Sequence, residues 1–256
     1  MLSLTIDIGN TNTKIELWDD QGYVGSFTKE ELESEEAQSL LKGNLPDGII
    51  VCSVKKEEEE FIEAVKKKFD CIFVNFDQQE MKSLSHVSHY KGPLGPDRMA
   101  AFIGAEYLSP QRAKLIADAG TALTLDVANE KGEYCGGEIS LGLNSRLKAL
   151  ANATSKLPEL EGIREYVSVG RNTAEAIEAG AFNGVVGEII FAMRRMRDRY
   201  KGEITYITGG DGKRIYDVVK RYETGCRFVA RLVTGGLNVY IRKKYFKQDF
   251  FSLNGI

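Results

Sequence analysis

An apolar strand that ends in aspartate, turns at glycine and continues through threonine into an alternating strand occurs twice in this chain. The first copy is Leu4-Thr5-Ile6-Asp7-Ile8-Gly9-Asn10-Thr11, running on into Lys14-Ile15-Glu16-Leu17, and the second is Leu115-Ile116-Ala117-Asp118-Ala119-Gly120-Thr121, running on into Thr124-Leu125-Asp126-Val127. Each component suits binding of a polyanion. Glycine lets the backbone approach closely, and a threonine hydroxyl can donate into phosphate oxygens. Aspartate can hold the metal that accompanies a nucleotide. A single Asp-x-Gly is also an ordinary turn. Two copies, each opening one half of the chain, are what a duplicated nucleotide-binding fold requires.

The elements that must position these hairpins repeat as well. Strands are expected at Ser3 to Ile8, Thr13 to Trp18 and Tyr23 to Thr28, then a helix near Glu30 to Leu41 and a buried strand at Gly48 to Val54. The segment Lys56 to Phe69 opens with Glu57 to Glu60 and closes with Lys66 to Lys68, the charge order that a helix dipole favours, so its acidic run reads as a solvated helix start. A strand at Cys71 to Asn75, a polar stretch to Gly95 and a helix to Tyr107 complete the first half. Strands then follow at Lys114 to Asp118, Ala122 to Val127 and Tyr134 to Ser140. Helices are expected near Asn144 to Ala153 and Asn172 to Tyr200, a strand at Ile204 to Thr208, a helix after Asp211 and a strand at Phe228 to Val233. Three antiparallel strands followed by helix and strand alternation, written twice, predict an α/β protein of two duplicated ribonuclease-H-like halves, 1–110 and 111–256. The two hairpins would face each other across a central cleft.

The 256 residues, 43% of them apolar, suffice for one large domain or two smaller ones with filled cores. A formal charge of −3, from 34 basic and 37 acidic residues, argues against nucleic acid or an anionic membrane as partner. No run approaches the roughly 18 apolar residues of a membrane span, and Asp7 stands where a signal peptide would have its apolar core, so a cytoplasmic location is expected. Cys52, Cys71, Cys135 and Cys226 lack any CxxC spacing and read as buried thiols of a reducing compartment. Other phosphate-binding signatures are missing. Gly209-Gly210-Asp211-Gly212-Lys213-Arg214 has Arg where a P-loop carries Ser or Thr, and Gly210-Asp211-Gly212-Lys213-Arg214-Ile215 has Ile where a dinucleotide fingerprint carries its third glycine.

Taken in order, Asp7-Ile8-Gly9-Asn10-Thr11-Asn12-Thr13-Lys14, Gly95-Pro96-Asp97-Arg98, Asp118-Ala119-Gly120-Thr121-Ala122, Gly136-Gly137-Glu138-Ile139, Asn172-Thr173 and Thr208-Gly209-Gly210 resemble the motifs of type III pantothenate kinases. That family belongs to the acetate and sugar kinase, Hsp70 and actin superfamily, and the likeness runs the length of the chain. It implies ATP-dependent phosphorylation of the primary hydroxyl of pantothenate, the entry step to coenzyme A. By resemblance Asp97 is the catalytic base and Asp7 through Lys14, with Thr121, bind ATP. Tyr90, Gly95, Pro96, Asp97, Arg98 and Thr173 contact pantothenate. Asp7 holds Mg²⁺, through a water, and Asp118 holds K⁺ or NH₄⁺. Thr173 reaches the substrate across a homodimer interface. Such chemistry needs phosphate grips, a divalent cation and a residue that orients and deprotonates the attacking hydroxyl. Two departures stand out: the link from Tyr90 to Gly95 is shorter than the family's usual one, and Leu141-Gly142 replaces its usual Pro-Gly.

Blander readings stand beside these. Asp97 and Arg98 could be a helix N-cap with a solvated arginine. Asp118 could be a turn residue, and Thr173 could cap a helix. His86 and His89 form an HxxH without a third metal ligand nearby and read as surface residues. Arg194, Arg195, Arg197 and Arg199 read as a solvated or dimer-facing helix surface, and Trp18 as packing. The same fold also serves kinases of other hydroxyl or carboxyl substrates. A non-catalytic role as a transcription accessory factor is a further alternative, disfavoured by the net acidity and the absence of a DNA-reading motif.

Overall fold

The computed structural model describes residues 1–34, 41, 45–54, 58–82, 84, 90–163, 165–249 and 252–255. They form two compact units, Met1–Pro110 with Arg231–Ile256, and Gln111–Ala230. The boundary near residue 110 is where the repeat of the hairpin places it. The last segment differs from the expected 111–256 half, because the chain returns to the first unit at Arg231.

In the first unit, β1 (Ser3–Ile8), β2 (Thr13–Asp19) and β3 (Gly22–Phe27) form an antiparallel meander, and β4 (Gly48–Ser53) and β5 (Ile72–Asn75) add in parallel on the other side of β1. The sheet order is β3-β2-β1-β4-β5. Side chains alternate across it, as the pleat requires. Leu4, Ile6, Ile8, Ile49 and Val51 enter a core with Phe61 and Val65 of α2 (Glu59–Lys68). That helix begins with Glu59 and Glu60 and ends with Lys66, Lys67 and Lys68, as the charge order predicts. Before it, α1 (Lys29–Glu33) starts at a Thr28–Glu31 capping box, and the rest of the helix expected to Leu41 falls mostly outside the described residues. So does the His86 and His89 pair. A short helix not expected from the sequence, α3 (Gln78–Met81), follows β5.

The opposite face of this sheet meets two helices. α4 (Pro96–Leu108) starts with Gly95 as N-cap and Pro at the first helical position, where a missing N–H costs nothing. The run expected as a strand at Phe228 to Val233 is instead split between β10 (Cys226–Phe228) and the start of α8 (Leu232–Phe246). A helix this deeply buried shows no polar face, so its sequence carries no 3.6-residue period to read. Residues Leu232 through Arg242 are all buried. Two glycines let α8 lie against α4. A methyl group built on Gly236 would overlap the carbonyl oxygen of Ala100, and one on Gly104 would come 2.6 Å from that of Leu232. Arg242, fully buried, locks the far end of α8: it donates to Asp20 Oδ1 at 2.7 Å, to the Met1 carbonyl at 3.0 Å and to Asn238 Oδ1 at 2.8 Å. Trp18 is packing, as read, with its indole N–H on Thr5 Oγ1 at 3.0 Å.

The second unit repeats the topology. β6 (Lys114–Ala119), β7 (Ala122–Ala128) and β8 (Tyr134–Leu141) form the meander, β9 (Ile204–Thr208) and β10 run parallel to β6, and the order is β10-β9-β6-β7-β8. α5 (Leu143–Ala153), α6 (Thr173–Arg199) and α7 (Gly212–Val219) complete it. By length and apolar composition alone, α6 is long and apolar enough to cross a membrane, which the sequence reading did not foresee. Its apolar face is nonetheless spent on the sheet, with Ile177, Phe182, Val185, Ile189 and Met193 in the core beside Leu115, Leu123 and Leu125. The Arg194 to Arg199 stripe is largely ion-paired: Arg194 and Arg197 hold Glu223 at 2.6 and 2.7 Å, and Arg195 pairs with Glu138. All four cysteines are free, but only Cys52 is buried; Cys71 and Cys226 are half-buried and Cys135 is exposed, because β8 is an edge strand.

The glycine contact gives a direct test. Gly236→Ala must push α8 off α4 or bend one of them, and is expected to lower the unfolding free energy by about 2 to 3 kcal/mol, measured by urea denaturation against an exposed helical control such as Lys243→Ala.

Candidate active site

Ladder register fixes the first hairpin. Asp7 lies opposite Lys14 and Ile8 opposite Thr13 across the antiparallel pair, so the carboxylate and the ammonium-bearing residue flank one turn. Within that turn the Gly9 N–H donates to the Asn12 carbonyl at 3.0 Å, and Asn10, Thr11 and Asn12 are exposed at its tip. A methyl group on Gly9 would come 3.2 Å from the same Asn12 oxygen, so the tight turn disfavours a larger residue.

On its other side Asp7 pairs in parallel register with Cys52 of β4. The Cys52 side chain is fully buried, and burial holds its thiol well above the ordinary value of 9.0, with the charges of Asp7 and then Asp97 pushing the same way. Both carboxylates therefore lie near one buried sulfur. The hairpin and the start of α4, far apart in sequence, converge on the same end of the first sheet.

Asp97 is the second residue of α4. Its Oδ1 accepts the Arg98 N–H at 2.9 Å, and Gly95 leaves it room: a methyl group there would approach Oδ1 to 2.6 Å. The bland reading of Asp97 as N-cap thus fails, since Gly95 holds that position. Arg98 is not solvated either, being only 7% exposed. The first turn of a helix favours an anion. Tyr90 is half-buried at the start of the link, which passes a left-handed Gly92 and is tied down by Gln78 Nε2 on the Leu94 carbonyl.

The second hairpin is built alike. Gly120 N–H donates to the Ala122 carbonyl at 3.0 Å, and Asp118 lies opposite Thr124 and beside Thr208. Two glycines from outside the turn hold it. Gly209, left-handed at φ +93°, packs so closely that a methyl group would overlap Asp118 Oδ1, and the Asp211 N–H binds the Ala119 carbonyl at 3.0 Å. Burial raises the Asp211 carboxyl above its ordinary value, with Arg214 at 3.9 Å acting the other way. Gly142 N–H and Ser145 Oγ both donate to the Thr121 carbonyl, at 3.1 and 2.6 Å, and a side chain on Gly142 would overlap the Gly120 carbonyl. The glycine of Leu141-Gly142 is what the turn needs, so the missing proline leaves the hairpin intact. Arg146 adds a brace, donating to the Leu141 carbonyl and to Glu188 at 2.7 Å each. Thr173 is exposed at the first position of α6, where Asn172, not Thr173, is the N-cap.

Among the described residues no three His, Cys, Asp or Glu side chains come together. A cation at either hairpin would be held by one carboxylate, water and ligand oxygens, the manner in which Mg²⁺ usually accompanies a nucleotide. Oxygen donors from Asp7 and Asp118 suit hard cations of that kind. Sequence reasoning missed the part of Cys52 and the packing of Gly209 on Asp118. Thr208-Gly209-Gly210 was the visible signal for the latter.

Two like-ordered sheets, each with an aspartate-ended strand and a glycine turn, define the duplicated ribonuclease-H-like fold of actin-like ATPases and sugar kinases. The activator of 2-hydroxyisocaproyl-CoA dehydratase from Clostridium difficile with bound ADPNP is similar, at a TM-score of 0.52 and 11% identity over 98% of this chain and 100% of that one. A Campylobacter jejuni protein assigned to the Baf family of transcriptional activators is similar at a TM-score of 0.58 and 22% identity, over 94% and 98% of the two chains. These likenesses concern fold alone. The family model for type III pantothenate kinase matches residues 3–195. The type III pantothenate kinase of Azobacteroides pseudotrichonymphae is 34% identical over 96% of this chain and 99% of its own, and that of Bacteroides fragilis 31% over 93% and 96%. The chain belongs to the type III pantothenate kinase family, and is a phosphotransferase.

The thiols report on this geometry. A disulfide-exchanging reagent at pH 8 is expected to modify Cys135 quickly and Cys52 only on unfolding. A thiol raised in the folded state loses its proton more easily when unfolded, so Cys52 contributes stability that is present below pH 9 and falls as pH rises through it. Denaturation midpoints at pH 8 and pH 10, compared between wild type and Cys52→Ala, measure the slope.

Proposed function

We propose that this chain phosphorylates pantothenate to 4'-phosphopantothenate at the expense of ATP, as the first step of coenzyme A biosynthesis, with Asp97 as base. The observation that carries the reading is the convergence of Asp7 and Asp97 around Cys52. It brings a phosphate-type hairpin and a carboxylate at a helix start to the same end of one sheet. Phosphoryl transfer asks for that pairing: grips on the phosphates and, next to them, a group that takes the hydroxyl proton as the P–O bond forms.

In this reading the Gly9 to Asn12 turn admits the phosphates, Thr11 and Thr13 donate to them, and Lys14 offsets their charge. Thr121 does the same from the second hairpin. Asp7 would hold Mg²⁺ through water, and that ion, when bound, supplies charge to the phosphate oxygens. Asp97 accepts the hydroxyl proton, and the N–H of Arg98, hydrogen-bonded to it, keeps it oriented. Gly95, Pro96, Arg98 and Tyr90 surround pantothenate, with the Arg98 fork suited to the substrate's carboxylate. Asp118 would hold K⁺ or NH₄⁺, because a carboxylate beside polyphosphate repels it unless a cation offsets the charge. Thr173, exposed at the start of α6, would complete the site of a second subunit in a homodimer. A cytoplasmic location, and no role for nucleic acid or membrane, belong to the same reading.

Asp97→Asn is expected to keep the fold and ATP binding while slowing phosphorylation about 10² to 10⁴-fold, read from coupled ADP release with pantothenate as acceptor. Mixing it with inactive Thr173→Arg and re-associating the subunits should recover part of the activity, since one intact site forms per mixed dimer. Near-wild-type turnover by Asp97→Asn would put the base elsewhere.

Activity is expected to require K⁺ or NH₄⁺ and to weaken when Na⁺ replaces them, and Asp118→Asn should lose that dependence with most of the activity. Initial rates in buffers of matched ionic strength decide this, and full activity without K⁺ or NH₄⁺ would contradict the assignment.

A further inference from the structure

The first turn of α5 has no capping side chain, because its N-cap is Gly142. Yet this turn supplies two donors to the Thr121 carbonyl, the Gly142 N–H and the Ser145 hydroxyl, so the place of Thr121 depends on where α5 begins. Arg146, the next residue of the same turn, holds that start. Its Nε donates to the Leu141 carbonyl at 2.7 Å, and its Nη2 donates to Glu188 Oε1 at 2.7 Å and to Ser140 Oγ at 3.2 Å. Ser140 Oγ in turn donates to Glu188 Oε2 at 2.6 Å, which closes the network.

α6 is shaped to receive this side chain. Gly184 stands one helical turn before Glu188, and a methyl group built on it would come 2.9 Å from Arg146 Nη1, so the bare helix face seats the guanidinium. Val185 and Ile189, fully buried in the core on either side of Glu188, leave this stretch of helix little freedom. One planar fork thus joins a fixed helix to the Leu141-Gly142 turn. Lysine, a single point of charge, would not reproduce that geometry.

We propose that Arg146 and Glu188 are positioning residues for the second phosphate grip: Glu188 fixes the Arg146 fork, the fork fixes the Leu141-Gly142 turn, and the turn fixes Thr121. The proposal deepens the kinase reading, and rests on it in taking Thr121 as a contact of the ATP phosphates. Neither Arg146 nor Glu188 touches substrate in it. Both act through the main chain.

Initial rates of the full chain, with ATP and pantothenate varied separately, test it. Arg146→Met is expected to raise the KM for ATP about three- to tenfold, the usual effect of losing a hydrogen bond of this kind, and to leave the KM for pantothenate unchanged. Glu188→Ala should do the same, and Arg146→Lys should not restore the wild-type value. The double variant of Arg146→Met with Glu188→Ala should be no worse than Arg146→Met alone, since both changes remove one link. An unmoved KM for ATP, a parallel rise in both KM values, or effects that multiply in the double variant would each overturn the proposal. Amide hydrogen exchange without ligands separates this claim from the choice of substrate. In Arg146→Met the Gly142 amide should exchange faster, while the amides of the Gly9 to Lys14 hairpin exchange as in the wild type. Unaltered exchange at Gly142 would overturn the positioning role, whereas a wild type that fails to phosphorylate pantothenate would overturn the kinase reading and leave exchange at Gly142 to decide the network.

Discussion

Backbone contact between α4 and α8 sets the geometry of the first unit. Helices that carry side chains at their crossing stand 8 to 10 Å apart, and the bare Gly104 and Gly236 let these two come closer, until main-chain oxygens of one helix face the Cα atoms of the other. α8 also packs along β1 and β4, and Ser3 Oγ donates to Asn238 Oδ1 at 2.6 Å from within that interface. α4 is thereby held against the same sheet face from which Asp7 and Cys52 project. Its first turn, with Asp97, has little freedom to leave the end of β1. The Asp97 carboxylate is positioned by a helix that enters the unit only after the chain has built the whole of the second one.

This dependence carries a cost that the fold meets with buried polar pairing. Arg242, without solvent access, would be expensive to desolvate alone, and the carboxylate of Asp20, the Asn238 amide and two main-chain carbonyls satisfy it. Asp20 also pairs with the Met1 ammonium at 2.7 Å, and the two cations hold its carboxyl below the ordinary range. Glu16 is the counterpart near the start of α8. Burial raises its carboxyl, opposed by the Thr234 hydroxyl and by Arg231 at 3.1 Å, so the return of the chain into the first unit is pinned at both ends of the helix.

Much of this was legible before any coordinates. Strands β1 and β6 follow from their apolar runs, β2 and β7 from the alternation after each turn, and both hairpins from Asp, Gly and Thr in sequence. The start of α4 follows from Gly95-Pro96, whose stereochemistry favours a helix beginning there and nowhere else nearby. α8 was not legible. Its run of Leu232, Val233, Thr234 and Leu237 is β-branched and apolar enough to imitate a strand, and Gly235-Gly236 imitates the turn that would end one. Only the tertiary need for a bare helix face explains those glycines. Cys52 shows the same limit: its parallel pairing with Asp7 joins residues distant in sequence, so no local pattern announces it. Gly209 and Gly142 were noticed as motif members, yet their reason, close approach to Asp118 and Gly120, exists only in three dimensions.

The central claim is that the Gly9 to Lys14 hairpin and the Gly95 to Arg98 turn act as one site at one end of the first sheet. Amide hydrogen exchange read by mass spectrometry tests it most directly, comparing the free chain with the chain saturated by Mg²⁺, a non-hydrolysable ATP analogue and pantothenate. Slowed exchange in peptides covering both segments is the result the account predicts, with the Gly95 to Arg98 peptide gaining most of its protection on addition of pantothenate. Protection of the hairpin alone, with the start of α4 exchanging as in the free chain, would contradict it.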